Sequence, residues 1–150
     1  MTQVEKAPII VVETVIRGTM ERVFRTLTSA EELAQWWDGD ERYPNLSWAV
    51  DDRAGGEWLS RWRNLEGREV NLGGRILEFE PPRRMVWSWF FDEFPDAGES
   101  RVEYLLEEAG EGVRLQVTHT GFKSTREAAY EDYSKGWYDV LGRIQRHVEA

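Results

Sequence analysis

Apolar and polar positions change their period along this chain, and the changes mark out its elements. Ile9 to Arg17 is rich in β-branched residues and predicts a first strand. Gly18 breaks it, and Thr19 is placed to cap a short helix from Met20 to about Leu27. Ser29 with Glu32 makes a capping-box pattern, and Leu33, Trp36 and Trp37 give a second short helix its apolar face. Adjacent helical positions point apart, so one of Trp36 and Trp37 is expected in the core and the other at a cavity mouth.

From about Leu46 the period becomes two. It predicts strands over Leu46–Asp51, Glu57–Asn64, Glu69–Glu80, Arg84–Phe91, Ser100–Glu108 and Val113–Thr120. Turn signals separate them, among them Arg53-Ala54-Gly55-Gly56, Pro81-Pro82 and Pro95-Asp96-Ala97-Gly98. Connections this short favour an antiparallel meander. Gly73-Gly74 inside a long strand predicts a bulge. Ser124 and Glu127 offer another capping box, after which Tyr130, Tyr133, Trp137, Leu141, Ile144 and Val148 recur at helical steps. A helix of about 24 residues would run ~36 Å, enough to cross a small domain. The sum is an α+β chain of order β-α-α-β6-α. A curved seven-stranded antiparallel sheet would grip one long C-terminal helix, with two short helices between strands 1 and 2. A curved sheet and a straight helix cannot touch everywhere, so a cavity between them is expected. The pattern gives one domain over 1–150, with an ordered core of about 9–148.

Eight tryptophans in 150 residues sharpen this picture. Trp58, Ser60 and Trp62 share one strand face, and Met85, Trp87, Trp89 and Phe91 share another. If both faces turn inward, four indoles meet on one concave surface. Two readings stand: a crowded core, or the wall of a pocket for a mostly apolar small molecule. On the second reading the cavity is lined by Trp37, Trp58, Trp62, Trp87, Trp89, Phe91, Tyr104, His119, Phe122, Tyr133, Trp137 and Leu141.

Charge and composition narrow the partners. A formal net charge of −9 disfavours nucleic acid and anionic membrane surfaces. The absence of cysteine excludes disulfides, thiolate metal sites and a cysteine nucleophile. The one apolar run near the N-terminus, Ile9 to Val12, is too short for a signal-peptide core or a membrane span, so a cytoplasmic location is expected. His119 and His147 have no metal-ligand spacing, and no phosphate loop, dinucleotide fingerprint or Gly-x-Ser-x-Gly elbow is present. No metal and no cofactor are expected.

Single residues carry less. Val113, Leu115, Val117 and His119 share a strand face, so His119 should point inward, as a ligand contact, a buried general base or a core histidine bonded to a neighbour. Glu78 shares parity with Gly74 and Ile76; turned inward it would need Arg75, Arg84 or a hydroxyl as partner. It is the second candidate acid or base, with Arg75 and Tyr104 as further polar groups. Gly136 interrupts the last helix, which suggests close approach to the sheet or space left for a ligand. The paired carboxylates at element ends, such as Glu31/Glu32 and Asp92/Glu93, read as solvated surface.

Five stretches together carry a family likeness. They are Val23 to Thr28 with Leu33-Ala34-Gln35-Trp36-Trp37; Asp52 to Gly56; Gly74 to Glu78 with Pro81 to Val86 and Trp89; Val117 to Phe122; and Gly136-Trp137 with Leu141. In this the chain resembles the START-like, birch-pollen-allergen-like helix-grip (SRPBCC) superfamily, in the branch named for the activator of heat-shock protein ninety ATPase. It departs from the family at Gly18-Thr19, where Ala-Pro is frequent. The resemblance implies a helix-grip fold and a carrier or sensor for a lipid-, polyketide- or aromatic-like molecule. It also admits a cyclase, dehydratase or hydrolase using the same cavity, and a co-chaperone acting on the heat-shock ATPase. A small apolar molecule is the expected partner, and the chain is expected as a monomer or homodimer.

Overall fold

A computed structural model describes residues 9–121 and 127–150, the side chains of 127–134 excepted. The elements are β1 Ile10–Arg17, α1 Met20–Thr28, α2 Ala30–Trp36, β2 Asn45–Val50, β3 Glu57–Arg63, β4 Glu69–Glu80, β5 Arg84–Phe91, β6 Ser100–Ala109, β7 Gly112–Thr120 and α3 Glu127–Glu149, with a 3-10 turn at Pro95–Ala97. The order is the expected β-α-α-β6-α. All seven strands form one antiparallel sheet in the order β1-β7-β6-β5-β4-β3-β2. Strands β2 to β7 follow one another as a meander. β1 closes the other edge on β7, with Ile10 opposite His119 and Arg17 opposite Gly112.

Alternation explains why these segments are strands. In β3 the buried Trp58, Ser60 and Trp62 alternate with exposed Glu57, Leu59, Arg61 and Arg63. In β7 the inward set is Val113, Leu115, Val117 and His119. α3 lies chiefly against β1 and buries Trp137, Val140, Leu141 and Ile144. At the departure from the family pattern, Thr19 caps α1 by accepting from Arg22 N at 3.1 Å. Ser124, Tyr130 and Tyr133 of the expected last helix lie outside the described side chains.

Several local expectations are corrected. Ser29 Oγ accepts from Glu32 N at 3.3 Å, which is half of a capping box. The Glu32 carboxylate does not reach back. It takes Arg22, Arg25 Nε at 3.3 Å and His147 Nε2 at 3.1 Å, tying all three helices together. Burial pushes its pKa up, but the hydrogen bonds from Arg22 and His147 and the two arginine charges outweigh this and hold it below the ordinary carboxylate range. Glu32 is therefore a partly buried hub and not a solvated end.

The β4–β5 ladder keeps one register through Gly73-Gly74; the irregularity falls between Ile76 and Glu78. The glycines instead permit close approach, since a Cβ on Gly74 would sit 2.0 Å from Ser88 O. Gly136 is exposed, and no described atom lies within 4 Å of where its Cβ would stand. Among the described residues, no sheet contact accounts for it. Its cost is conformational entropy alone, so Gly136→Ala is expected to stabilise the protein by about 1 kcal/mol. Thermal unfolding would show this as a Tm increase of about 2–4 °C; a decrease would mean that the position faces something it must avoid.

Candidate functional site

The inner face of the sheet gathers the aromatic residues into one body. All eight indoles belong to a single chain of ring contacts running from Trp36 and Trp37 through Trp48, Trp58, Trp62, Trp87 and Trp89 to Trp137. Trp36 and Trp37 do not diverge: their rings stack at 5.2 Å and 26°. Trp37 has left the helix, with φ −107° and ψ 63°, so the helical rule for adjacent side chains no longer applies to it. Its ring also meets Trp48, Trp89 and Trp137.

Buried indoles need acceptors, and most have one. Trp36 Nε1 donates to Thr26 O, Trp48 Nε1 to Trp37 O, Trp58 Nε1 to Ser88 O and Trp62 Nε1 to Ser60 Oγ, all between 2.9 and 3.0 Å. Trp87 Nε1 lies 3.0 Å from Met85 Sδ, and Trp137 Nε1 donates to His119 Nδ1 at 3.1 Å. Trp89 is different. Its Nε1 is buried and has no hydrogen-bond partner among the described residues.

His119 points inward as its strand parity requires, and it is 1% exposed. Because Trp137 donates into Nδ1, the proton sits on Nε2, which faces Ser100 Oγ at 2.8 Å. Its ring also meets Trp89 at 5.3 Å and Trp137 at 5.9 Å. Burial lowers its pKa from 6.5 to about 4. At neutral pH it is an uncharged core imidazole whose Nδ1 lone pair is taken by Trp137.

Beside His119 and Trp89 the packing leaves a hollow of about 180 Å³, bordered by Leu72, Trp89, Phe91, Ala97, Gly98, Ser100 and His119. Of the expected cavity set it brings together Trp89, Phe91 and His119. Trp58, Trp62, Trp87, Tyr104, Trp137 and Leu141 are buried in the core, where Trp87 and Trp137 pack on Tyr104 at 5.9 and 6.2 Å. Trp37 is partly buried against the same cluster. Phe122 and Tyr133 lie outside the described side chains. Desolvation raises the Tyr104 phenol well above its ordinary pKa, so it stays neutral.

Glu78 is not in this site. The irregularity after Ile76 turns both Leu77 and Glu78 to the outer face, which breaks the parity on which an inward Glu78 rested. Its carboxylate pairs with Arg84 through contacts of 3.1 and 3.2 Å, and Arg84 holds it below the usual carboxylate range. Arg75 is likewise outside, on Glu57 at 3.1 Å.

Sequence reasoning missed Leu72, Ser100 and the Ala97-Gly98 turn. Ser100 sits directly opposite Trp89, a pairing that becomes visible only once the cross-strand register is fixed. Among the described residues no group of three or more histidines and carboxylates is placed to hold a metal ion, and no helix is long and apolar enough to cross a membrane.

Comparison with known proteins agrees with this architecture. No curated protein matches the chain. Among solved structures, protein CV1439 from Chromobacterium violaceum is 26% identical and superposes with a TM-score of 0.79, covering 95% of this chain and 98% of that one. CalU16 from Micromonospora echinospora is 25% identical, with a TM-score of 0.69 over 95% of this chain and 76% of its own. DynU16, from the dynemicin biosynthetic locus, shares the fold at 18% identity and a TM-score of 0.76, with 95% of this chain matching 47% of that one. The family model described as Activator of Hsp90 ATPase homolog 1-like protein matches residues 17–149. With strand order, helix placement and this match in agreement, the chain belongs to the Activator of Hsp90 ATPase homolog 1-like family.

Proposed function

We propose that this protein binds a small, largely apolar molecule of about one ring, carrying a hydrogen-bond acceptor, and serves as its carrier or sensor. The observation that supports this most directly is a hollow of about 180 Å³ walled by Leu72, Phe91 and the Trp89 ring, with an indole N–H that no described acceptor satisfies. An engineered apolar cavity of about 150 Å³ takes up benzene, so the volume suits a single ring and is small for a lipid chain or a fused polyketide. A buried donor without a partner costs about 1–3 kcal/mol, which a ligand carbonyl would recover once the Trp89 ring turns its N–H toward the hollow. That a protein of the dynemicin biosynthetic locus has the same fold agrees with a small-molecule role, on fold grounds only.

Catalysis draws less support from the same geometry. A general base needs a free lone pair of suitable basicity, and His119 offers Nδ1 already bonded to Trp137, with a pKa of about 4. The family description also raises activation of a chaperone ATPase. Stimulation of that ATPase by the purified protein would favour this over the carrier reading.

Titration with acetophenone and with ethylbenzene, its near-isostere lacking an acceptor, tests the proposal. In 1H–15N spectra the Trp89 indole resonance, assigned by its loss in Trp89→Phe, is expected to move downfield with the ketone and much less with the hydrocarbon. No response to either probe up to their solubility limits would remove the reading.

A further inference from the structure

Phe91 borders two spaces at once. It lines the inner hollow of about 180 Å³ and also an outer groove of about 590 Å³ formed with Tyr43, Asn64, Leu65, Glu93 and Phe94. The groove carries apolar surface at its rim, with Leu65 68% and Phe94 56% exposed. Both of its acidic groups are already engaged: Glu93 accepts from Tyr43 OH at 2.8 Å and Asn64 Nδ2 at 2.6 Å, and Glu66 pairs with Arg68 at 3.4 Å on the rim. An apolar occupant therefore meets no unpaired carboxylate there.

The backbone at Phe91 is held while its ring is only partly packed. Phe91 pairs with Leu72 as the last residue of β5. Just beyond it, Asp92 N donates to Asn71 O at 3.0 Å, and Asp92 Oδ1 accepts from Asn71 N at 2.7 Å. The ring itself is partly buried and meets Phe94 at 5.5 Å. A strand end fixed in this way leaves side-chain rotation as the available motion, and partly exposed aromatic side chains change rotamer readily.

We propose that the Phe91 ring is a movable partition that sets ligand length. One ring of the ligand occupies the inner hollow, and a second apolar portion passes Phe91 into the groove beside Phe94. The ligand class is then an elongated arene ketone or a similar two-ring molecule with its acceptor at the inner end. This rests on the small-molecule reading above and adds a second subsite to it.

The test compares acetophenone with 4-phenylacetophenone on wild-type protein, Phe91→Ala, Phe91→Leu and Phe94→Ala, with affinities from calorimetry and folding checked by circular dichroism. Removing the partition is expected to raise the two-ring to one-ring affinity ratio at least tenfold in Phe91→Ala and by less in Phe91→Leu. Phe94→Ala is expected to weaken only the two-ring probe, severalfold. An unchanged ratio in folded Phe91→Ala and Phe91→Leu, with acetophenone still bound, overturns the partition and leaves the small-molecule reading intact. Failure of wild type and both Phe91 variants to bind either probe overturns both.

Discussion

Replacing Trp58 by alanine is expected to cost about 3–5 kcal/mol, a large share of the total stability of a domain this size. Trp58 is 3% exposed and touches Trp48, Trp87 and Trp89 at ring separations of 5.9, 5.0 and 5.8 Å. Its N–H donates to Ser88 O at 3.0 Å across the Gly73-Gly74 crossing of β4. Truncation removes transfer energy, opens a cavity between rigid rings and takes away a buried hydrogen bond. Rings cannot relax into such a space as flexible aliphatic chains do. Urea unfolding would measure the loss, with exposed Leu65→Ala as a comparison expected within about 0.5 kcal/mol of wild type. A Trp58→Ala cost below about 1 kcal/mol would mean that the aromatic body is loosely packed and already half open.

Acid is expected to remove about 3 kcal/mol of stability through His119 alone. In the unfolded chain this imidazole takes a proton near pH 6.5, whereas burial delays protonation in the native protein to about 4. The unfolded state therefore binds more protons between those values. The contribution is fully present above pH 6.5, falls as pH drops through the window, and levels off below the folded value. Native protonation would also put a second proton on Nδ1 and break the Trp137 hydrogen bond. Glu32 acts in the same direction but lower, because its folded pKa lies beneath 4.5. Urea unfolding of wild type and His119→Gln at intervals from pH 7.5 to 4.5 separates the two. The variant should start weaker, with Trp137 and Ser100 less well satisfied, and should lack most of the slope between pH 6.5 and 5. Parallel slopes in the two proteins would refute the assignment.

Element type was legible wherever burial was one-sided. β3 and β7 alternate so strictly that their faces, and with them the inward direction of His119, follow from spacing. β4 shows where this stops. One irregular residue beyond Ile76 reverses the parity of Glu78, and nothing in the residue types there marks it, whereas Gly73-Gly74 signals a bulge and keeps the register. Trp37 fails for a related reason: a helix ending one residue early changes where a ring points. The site was legible only in part, because alternation says that an indole is inside and not whether it faces another indole or an empty space. Distinguishing these needs ring-to-ring geometry among Trp37, Trp58, Trp87 and Trp89, to which strands and helices distant in sequence all contribute. Ser100 was missed because its partner is Trp89 across a register that only the folded sheet fixes.

The closure of β1 on β7 has a consequence for how the chain reaches this state. Strands β2 to β7 each find a partner among near neighbours, so the loop-closure cost of every hairpin is low. β1 must wait for the last strand, and α3, which packs mainly on β1, must wait with it. A growing polypeptide would thus carry an unpaired, valine- and isoleucine-rich N-terminal segment until nearly all of the sheet has been made. Assembly is expected to finish with the first strand and final helix docking together as one unit.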